Sequence, residues 1–284
     1  MVIVNILQLL RVKDWLKNLI LFFPIIFAGS ISDFFLYFSL IKGFFIFSIV
    51  SSFIYVLNDI LDLKADRLHP TKKFLKPIAA GRLSLSFSYV ILIILFLLIT
   101  IFIFKYKVIF ISLILYLTLS LSYNFFLKNI PFLELIILAI GYVIRIDAGS
   151  KLIYVKSSTI MLLCVFFLAL FFIVLKRVGE LNCFINSEKN FNTRKVLKYY
   201  SLEFLKKITF ISATILIILL FIFVLTKKIY LILILPFVLV FLLRYYLISN
   251  DSTKGESPIS LILEDKLLLM FSLLSLSISI IIYL

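Results

Sequence analysis

Residues 83–104 read LSLSFSYVILIILFLLITIFIF, a run of apolar, aromatic and hydroxyl side chains that contains no charged residue. At about 1.5 Å per residue, a helix of this length crosses the roughly 30 Å hydrocarbon core of a bilayer. Residues 108–127 and 208–226 have the same character. The sequence therefore predicts helices that span a membrane.

The composition of the whole chain agrees with this prediction. Of 284 residues, 64% are hydrophobic and 15% are charged, whereas soluble domains contain about 45–50% apolar and about 25% charged residues. These values exclude a water-soluble globular enzyme and a disordered chain. We expect one all-α domain, residues 1–284, built as a polytopic bundle of about nine transmembrane helices.

Runs without charge mark the expected spans. Eight of them are residues 18–32, 43–58, 83–104, 108–127, 157–175, 208–226, 229–243 and 267–284. A ninth, residues 130–150, contains Glu134, Arg145 and Asp147 but is otherwise strongly apolar. We count it as membrane-embedded, with a re-entrant segment as the alternative.

The distribution of positive charge predicts the orientation. If the chain crosses the membrane nine times, the loops on the side of the N-terminus carry roughly three times as many Lys and Arg residues as the loops on the opposite side. This excess places the N-terminal side in the cytoplasm. We expect a cytoplasmic-membrane protein with its N-terminus inside and its C-terminus outside. The membrane and an anionic ligand explain the net charge of +15, so membrane lipid is an expected partner and nucleic acid is not.

The strongest polar cluster follows the second span and reads NDILDLKAD, residues 58–66. If the preceding helix continues at about 100° per residue, Asn58, Asp59, Asp62 and Asp66 share one face within a quarter-turn. Three carboxylates on one face repel each other unless a cation binds between them. Hard oxygen ligands suit Mg²⁺, which also bridges to substrate phosphates. A solvated helix end is the alternative reading.

Basic residues follow directly, in TKKFLKPIAAGR at residues 71–82. Cations beside a metal site can hold phosphate oxygens that the metal leaves free. Lys72 and Lys76 are therefore candidate phosphate-binding residues. Without the neighbouring acids, the same lysines would be ordinary positive-inside residues.

Two further polar clusters follow the fourth and sixth spans. The first contains Tyr123 and Lys128, and the second contains Lys176, Arg177 and Glu180. An ordinary salt bridge within one helix is the alternative reading of the second cluster. Because these clusters and the acidic cluster all follow even-numbered spans, we expect them to meet at one cytoplasmic site above an apolar cavity.

Ionisable residues within the ninth candidate span are treated separately. Glu134 and Arg145 share a helix face but are roughly 16 Å apart at 1.5 Å per residue, so they cannot pair within an unbroken helix. Charged groups in spans are rare and often functional, although Arg145 could also form a structural bridge. Asp147 lies near the outer side and is left out of the site.

The pattern Asn58-Asp59-x-x-Asp62-x-x-x-Asp66 resembles the signature of the UbiA-type intramembrane prenyltransferase superfamily, and the nine-span arrangement matches its architecture. Within that superfamily, the chain most resembles the decaprenyl-phosphate phosphoribosyltransferases. This narrower resemblance rests on RVKDWLKN (11–18), RLHPTK (67–72), KPIAAG (76–81), and the Lys, Arg and Glu of the cluster after the sixth span.

Departures from the family pattern also carry information. Members that prenylate aromatic acceptors have a second Asp-x-x-x-Asp motif, which is missing after the fourth span of this chain and favours the phosphoribosyl subgroup. Lys76 stands where the family usually has Arg, and supplies a cation but not a bidentate fork. Glu134 stands where Asp is often found.

The resemblance implies Mg²⁺-dependent transfer of 5-phosphoribose from phosphoribosyl pyrophosphate to a polyprenyl, decaprenyl-type phosphate, with release of pyrophosphate. It implies that Asn58, Asp59, Asp62 and Asp66 hold the metal and that these three aspartates act in catalysis with Tyr123 and Lys128. The phosphate-binding and substrate-binding candidates are Lys17, Asn58, Lys72, Lys76, Lys128, Arg145, Lys176, Arg177 and Glu180. The alternatives are an aromatic prenyltransferase that uses polyprenyl diphosphate and a transporter.

Overall fold

The computed structural model describes residues 2–68, 72–186, 195–250 and 258–284, and these parts form helices without any strand. The α-helices are α1 Val2–Leu9, α2 Phe23–Phe27, α3 Phe34–Leu61, α4 Leu63–Leu68, α5 Lys72–Leu75, α6 Leu85–Lys105, α7 Phe110–Phe125, α8 Leu133–Leu152, α9 Thr159–Asn186, α10 Leu202–Thr226, α11 Leu235–Asn250, α12 Pro258–Glu264 and α13 Lys266–Tyr283. Tighter 3₁₀ segments are Val12–Phe22, Lys107–Ile109, Leu127–Asn129, Lys195–Tyr199 and Ile229–Ile234.

Four of the long helices begin at a side chain that caps the first turn. Asp33, Ser84, Ser201 and Asp265 each accept a hydrogen bond from a backbone N–H two or three residues further on. These residues satisfy donors that have no partner within the helix. The short polar residues between the apolar runs therefore determine where α3, α6, α10 and α13 start.

Seven helices in the described residues are long and apolar enough to cross a membrane. They are Phe34–Leu61, Leu85–Lys105, Lys107–Phe125, Thr159–Asn182, Leu202–Thr226, Ile229–Asn250 and Lys266–Tyr283. The all-α membrane bundle is thus confirmed. On α6, Leu95 and Ile99 face the protein while Phe96, Leu97 and Ile101 are exposed, as expected for a helix with protein on one side and lipid on the other.

The expected number of nine spans stays a prediction, because two of the nine differ from simple spanning helices. Residues 18–32 do not form one long helix but a 3₁₀ segment followed by the short α2, which has Pro24 in its first turn. Residues 130–150 do form a long helix, α8, but it buries Glu134 and Arg145. Both segments bury polar side chains, Asn18 in the first and Glu134 and Arg145 in the second.

The 3₁₀ segment Val12–Phe22 lies between α3 and α8, and α8 also packs against α7 and α9. The approach is closest at Gly149 in α8. A Cβ built there would lie 2.2 Å from the carbonyl oxygen of Leu21, a contact that only a backbone shift could relieve. A glycine at position 149 therefore allows the 3₁₀ segment to lie directly on α8.

Gly149→Ala is expected to destabilise the protein by about 1–3 kcal/mol, because the added methyl group overpacks a backbone contact. Gly141→Ala in the same helix is the matched control, since its Cβ would lie 3.6 Å from Arg145 and 3.7 Å from Tyr116. These are ordinary contacts, and alanine favours a helix. Thermal unfolding in detergent should show a lower midpoint for Gly149→Ala alone, and equal midpoints for both variants would contradict the packing described.

Candidate active site

Two acidic residues meet at one lysine where α3 and α4 join. Lys76 Nζ lies 2.9 Å from Asp59 Oδ1 and 2.5 Å from Asp66 Oδ2. Asp59 is also 2.7 Å from Arg11 Nη2. Both carboxylates are buried, and Asp59 is only 2% exposed. The acidic cluster after α3 thus contains a pair of carboxylates that converge on a single cation.

Asp62 does not join this pair, so the single four-residue face expected from the helical pattern is only partly formed. Helix α3 ends at Leu61, and Asp62 has φ −87° and ψ 4° before α4 begins. Its Oδ1 lies 3.0 Å from Lys128 Nζ. Without a divalent cation, the carboxylates repel each other, and each is neutralised by a basic side chain.

The chemistry of these side chains fits a hard divalent cation. Within residues 2–68, 72–186, 195–250 and 258–284, no three acidic, histidine or cysteine side chains are close enough to form a metal cage. Mg²⁺, however, is usually held by one or two carboxylates, with waters and substrate phosphates completing its shell. Asp59 and Asp66 supply such a pair, and the positively charged ammonium group of Lys76 lies between them, where a metal ion could bind instead.

A second ionic cluster links α7, α8 and α9. Arg177 donates from Nε and Nη2 to the two oxygens of Glu134, at 2.7 and 2.6 Å, and from Nη1 to Glu180 at 2.7 Å. The hydroxyl of Tyr123 lies 3.5 Å from Glu134. Because carboxylates engage all three nitrogens of Arg177 and its side chain is buried, the geometry supports a positioning role for it. Its expected phosphate contact stays a prediction.

Tyr200, which directly follows the 3₁₀ segment Lys195–Tyr199, connects this part of the chain to the cluster. Its hydroxyl accepts a hydrogen bond from the backbone N–H of Phe132, at 3.0 Å, and lies 3.4 Å from Glu134 Oε1. Burial raises the pKa of Tyr200 to about 12, so the hydroxyl keeps its proton at neutral pH. Phe132 has a φ of 63°, and Tyr200 holds this unusual turn at the start of α8.

Arg145 lies in a separate buried network. It donates to Asn18 Oδ1 at 2.7 Å, to the Gly141 carbonyl at 2.9 Å and to the Tyr116 hydroxyl at 2.5 Å. Asn18 in turn donates to Ser48 at 3.0 Å. This network joins the 3₁₀ segment to α3, α7 and α8, as expected for a structural bridge. A phosphate contact by Arg145 would require these bonds to break, and it stays a prediction.

The remaining expected residues are placed as follows. Lys17 pairs with Asp14, and Lys176 is half-buried and engaged by neighbouring groups. Asn58 is half-buried, and its carbonyl accepts a hydrogen bond from the Asp62 N–H. Lys72 begins α5, but its side chain lies outside the described residues, as do His69, Pro70 and Thr71 of the RLHPTK motif.

Asp147 pairs with Lys151 at 2.7 Å and accepts a hydrogen bond from Ser157. These contacts lie at the far end of α8 from Glu134, which agrees with leaving Asp147 out of the site.

Arg11 was not among the expected site residues, although it contacts Asp59. Arg11 is the first residue of the RVKDWLKN segment that resembles a known family, but its contact with a residue 48 positions away depends on how the N-terminal segment folds back. The guanidinium carbon of Arg11 also lies 4.7 Å from the centre of the Tyr55 ring. The first residues of the chain thus contribute directly to the acidic site.

Asp265, before α13, caps that helix and accepts a 2.8 Å hydrogen bond from Arg244. This bond from the guanidinium lowers the pKa of Asp265 below its ordinary value. A lowered folded-state pKa means that the carboxylate stabilises the fold above the unfolded-state pKa and that this stabilisation is lost as the pH falls through the folded-state pKa.

Asp265→Asn keeps a residue that caps helices well but removes the carboxyl group that titrates. It is expected to flatten the drop of the unfolding midpoint between about pH 5 and pH 3. Melting curves of the two proteins across this range measure the effect. An identical acid dependence in both would contradict the role of the Arg244 contact.

The UbiA prenyltransferase family profile matches residues 19–273 of the chain. Decaprenyl-phosphate phosphoribosyltransferase of Mycobacterium tuberculosis is 28% identical over 217 residues, which cover 75% of this chain and 71% of that one. Uncharacterized protein y4nM of Sinorhizobium fredii is 41% identical over 76 residues, which cover 27% of this chain and only 14% of that relative's length.

Among solved structures, a UbiA homologue from Archaeoglobus fulgidus, bound to GPP and Mg²⁺, aligns with a TM-score of 0.71. It is 21% identical, and the alignment covers 97% of this chain and 96% of that one. At this identity the likeness establishes a shared fold.

Proposed function

Because the chain belongs to the UbiA prenyltransferase family, we propose that its acidic site transfers 5-phosphoribose from phosphoribosyl pyrophosphate to a polyprenyl phosphate and releases pyrophosphate. The name of the Mycobacterium tuberculosis relative supports the choice of donor and acceptor. We further propose that the protein lies in the cytoplasmic membrane with this site facing the cytoplasm, where a soluble phosphorylated donor is available.

The observation that carries the proposal is the convergence of Asp59 and Asp66 on one cation at the end of an apolar bundle. Lys76 and Arg11 neutralise these two carboxylates, and Lys128 pairs with the neighbouring Asp62. Because basic side chains and not a fixed structural group neutralise these buried carboxylates, a divalent cation that carries a substrate phosphate could replace those side chains. The apolar helices provide a matching environment for the lipid chain of the acceptor.

Asp59, Asp62 and Asp66, together with Asn58, are the residues that would hold Mg²⁺. When bound, the metal stabilises the charge that develops on pyrophosphate as it leaves the ribose. With the aspartates engaged in this way, Lys76 and Lys128 would be free to donate charge-assisted hydrogen bonds to phosphate oxygens. Tyr123 orients the donor from its position beside Glu134.

The reaction replaces one bond at the ribose C1 atom by another. The bond to the pyrophosphate oxygen breaks, and the electron pair leaves with pyrophosphate. An oxygen of the acceptor phosphate forms the new bond. Since that oxygen is already anionic near neutral pH, the step needs no strong general base, which agrees with a chain that contains one histidine.

The family description also supports a second candidate, prenyl transfer to an aromatic acceptor. The two are separated by measuring pyrophosphate release from the purified protein with Mg²⁺ and one substrate pair at a time. Phosphoribosyl pyrophosphate with polyprenyl phosphate is expected to give release, whereas polyprenyl diphosphate with a hydroxybenzoate is not. The reverse result would establish the second candidate, and no release with either pair would contradict both.

A further inference from the structure

Arg11 occupies a backbone conformation that arginine rarely adopts. It follows α1 with φ 50° and ψ 50°, in the left-handed region, where glycine is the usual residue after a helix. An unusual backbone conformation at a charged residue beside an acidic site suggests a functional constraint. Here the turn directs the guanidinium back onto Asp59 of α3.

Two basic groups contact Asp59, and one of them is shared with Asp66. The Oδ1 atom of Asp59 is 2.7 Å from Arg11 and 2.9 Å from Lys76, while Lys76 also neutralises Asp66. The four side chains together are neutral. A divalent cation bound between the carboxylates would displace both basic groups and leave the cluster with two excess positive charges. Such a cluster attracts an anion that carries at least two negative charges.

Arg11 is better placed than a surface cation to take that anion. Its side chain is 30% exposed, so a ligand can reach it, and the face of Tyr55 supports its plane. A planar guanidinium offers parallel N–H donors that match two oxygens of one phosphate group. The same donors that now contact Asp59 can therefore serve a phosphate group instead.

We propose that Arg11 is a phosphate-binding residue that neutralises Asp59 while no metal is present and transfers to phosphate oxygens when a divalent cation takes Asp59. This deepens the proposed function and rests on it for the identity of the natural phosphate. The phosphate belongs to the soluble donor or to the lipid acceptor, and the two sources share the same recognition chemistry.

The test uses the full-length purified protein in detergent, with Mn²⁺ and inorganic pyrophosphate as probes. Free Mn²⁺ is measured by electron paramagnetic resonance, first alone and then with pyrophosphate. Arg11→Gln is expected to bind Mn²⁺ alone several-fold more tightly, because a competitor for Asp59 is gone, and to bind pyrophosphate in the presence of Mn²⁺ on the order of tenfold more weakly. A purely structural role for Arg11 would not tighten metal binding.

Lys13→Gln is the matched control, because it removes a positive charge from an exposed side chain two residues away. It should leave both affinities within about twofold of the wild type. Unchanged pyrophosphate binding in Arg11→Gln, or equal losses in the two variants, would overturn the proposal. If Arg11→Gln does not fold, Arg11→Lys applies the same test: weaker pyrophosphate binding supports the proposal and unchanged binding overturns it.

Michaelis constants identify the source of the phosphate. If Arg11→Gln raises the Michaelis constant for phosphoribosyl pyrophosphate alone, Arg11 binds a phosphate of the donor. If it raises the Michaelis constant for polyprenyl phosphate alone, Arg11 binds the phosphate of the acceptor. The Mn²⁺ and pyrophosphate titrations need neither substrate. A wild-type protein that transfers no phosphoribose would therefore refute the proposed function while the role of Arg11 is still decided by the titrations.

Discussion

Asp62→Asn is expected to lower the rate of phosphoribosyl transfer by about 10²–10³-fold, the range seen when a group that stabilises developing charge is lost. Asp62 is the aspartate of the cluster whose removal should disturb the fold least. Its side chain is 35% exposed and its contact with Lys128 is partly solvated, and such bridges contribute about 0–1 kcal/mol. Activity should therefore collapse while the unfolding midpoint hardly changes.

The measurement compares turnover at saturating substrates and thermal unfolding for the wild type and the variant, over a range of Mg²⁺ concentrations. Glu203→Gln is a suitable control, because it removes a carboxylate from the exposed ion pair with Lys207 and should alter neither property. Turnover of Asp62→Asn within about threefold of the wild type would remove Asp62 from the metal site.

Glu134→Ala is expected to destabilise the protein by about 3–5 kcal/mol, because it leaves the buried guanidinium of Arg177 without its main partner. The Glu134 side chain is 0% exposed, and Arg177 binds both of its oxygens. The same change removes hydrogen-bonding partners of Tyr123 and Tyr200. Of the substitutions considered, this one should lower the unfolding midpoint most.

The double variant Glu134→Leu with Arg177→Met distinguishes the destabilisation caused by an unpaired buried charge from that caused by lost packing. Replacing both members of a buried ion pair by apolar groups is often neutral or stabilising, so the double variant should be more stable than Glu134→Ala. Glu203→Ala, in the exposed pair on α10, should stay within about 0.5 kcal/mol of the wild type. A double variant as unstable as Glu134→Ala would contradict this account of the pair.

The helical bundle was predictable from the sequence because its determinants are local. Long charge-free runs specify the seven confirmed helices, and the caps at Ser84, Ser201 and Asp265 lie immediately before the helices they start. The segments that pack inside the bundle were less predictable. Residues 18–32 form the end of a 3₁₀ segment, which packs between α3 and α8, and a short helix, which packs against α8 and α13.

The sequence allowed us to predict which residues could form the candidate site, but not which of them pair with each other. The acids, lysines and Tyr123 could be identified from their positions after the spans. The alignment of Asp62 with Asp59 on one face requires an unbroken helix, and α3 ends at Leu61, directly before Asp62. The contacts between Arg11 and Asp59, 48 residues apart, and between Arg177 and Glu134, 43 apart, depend on how helices pack. No local pattern encodes them.

The fate of the donor's 5-phosphate tests the central claim most directly. Phosphoribosyl pyrophosphate labelled with ³²P at that position is incubated with the purified protein, polyprenyl phosphate and Mg²⁺, and the lipids are then extracted. We predict that the label enters the organic phase in step with pyrophosphate release, and that this transfer requires both the lipid and the metal. Label that stays in the aqueous phase while the same protein prenylates an aromatic acceptor from polyprenyl diphosphate would contradict the account.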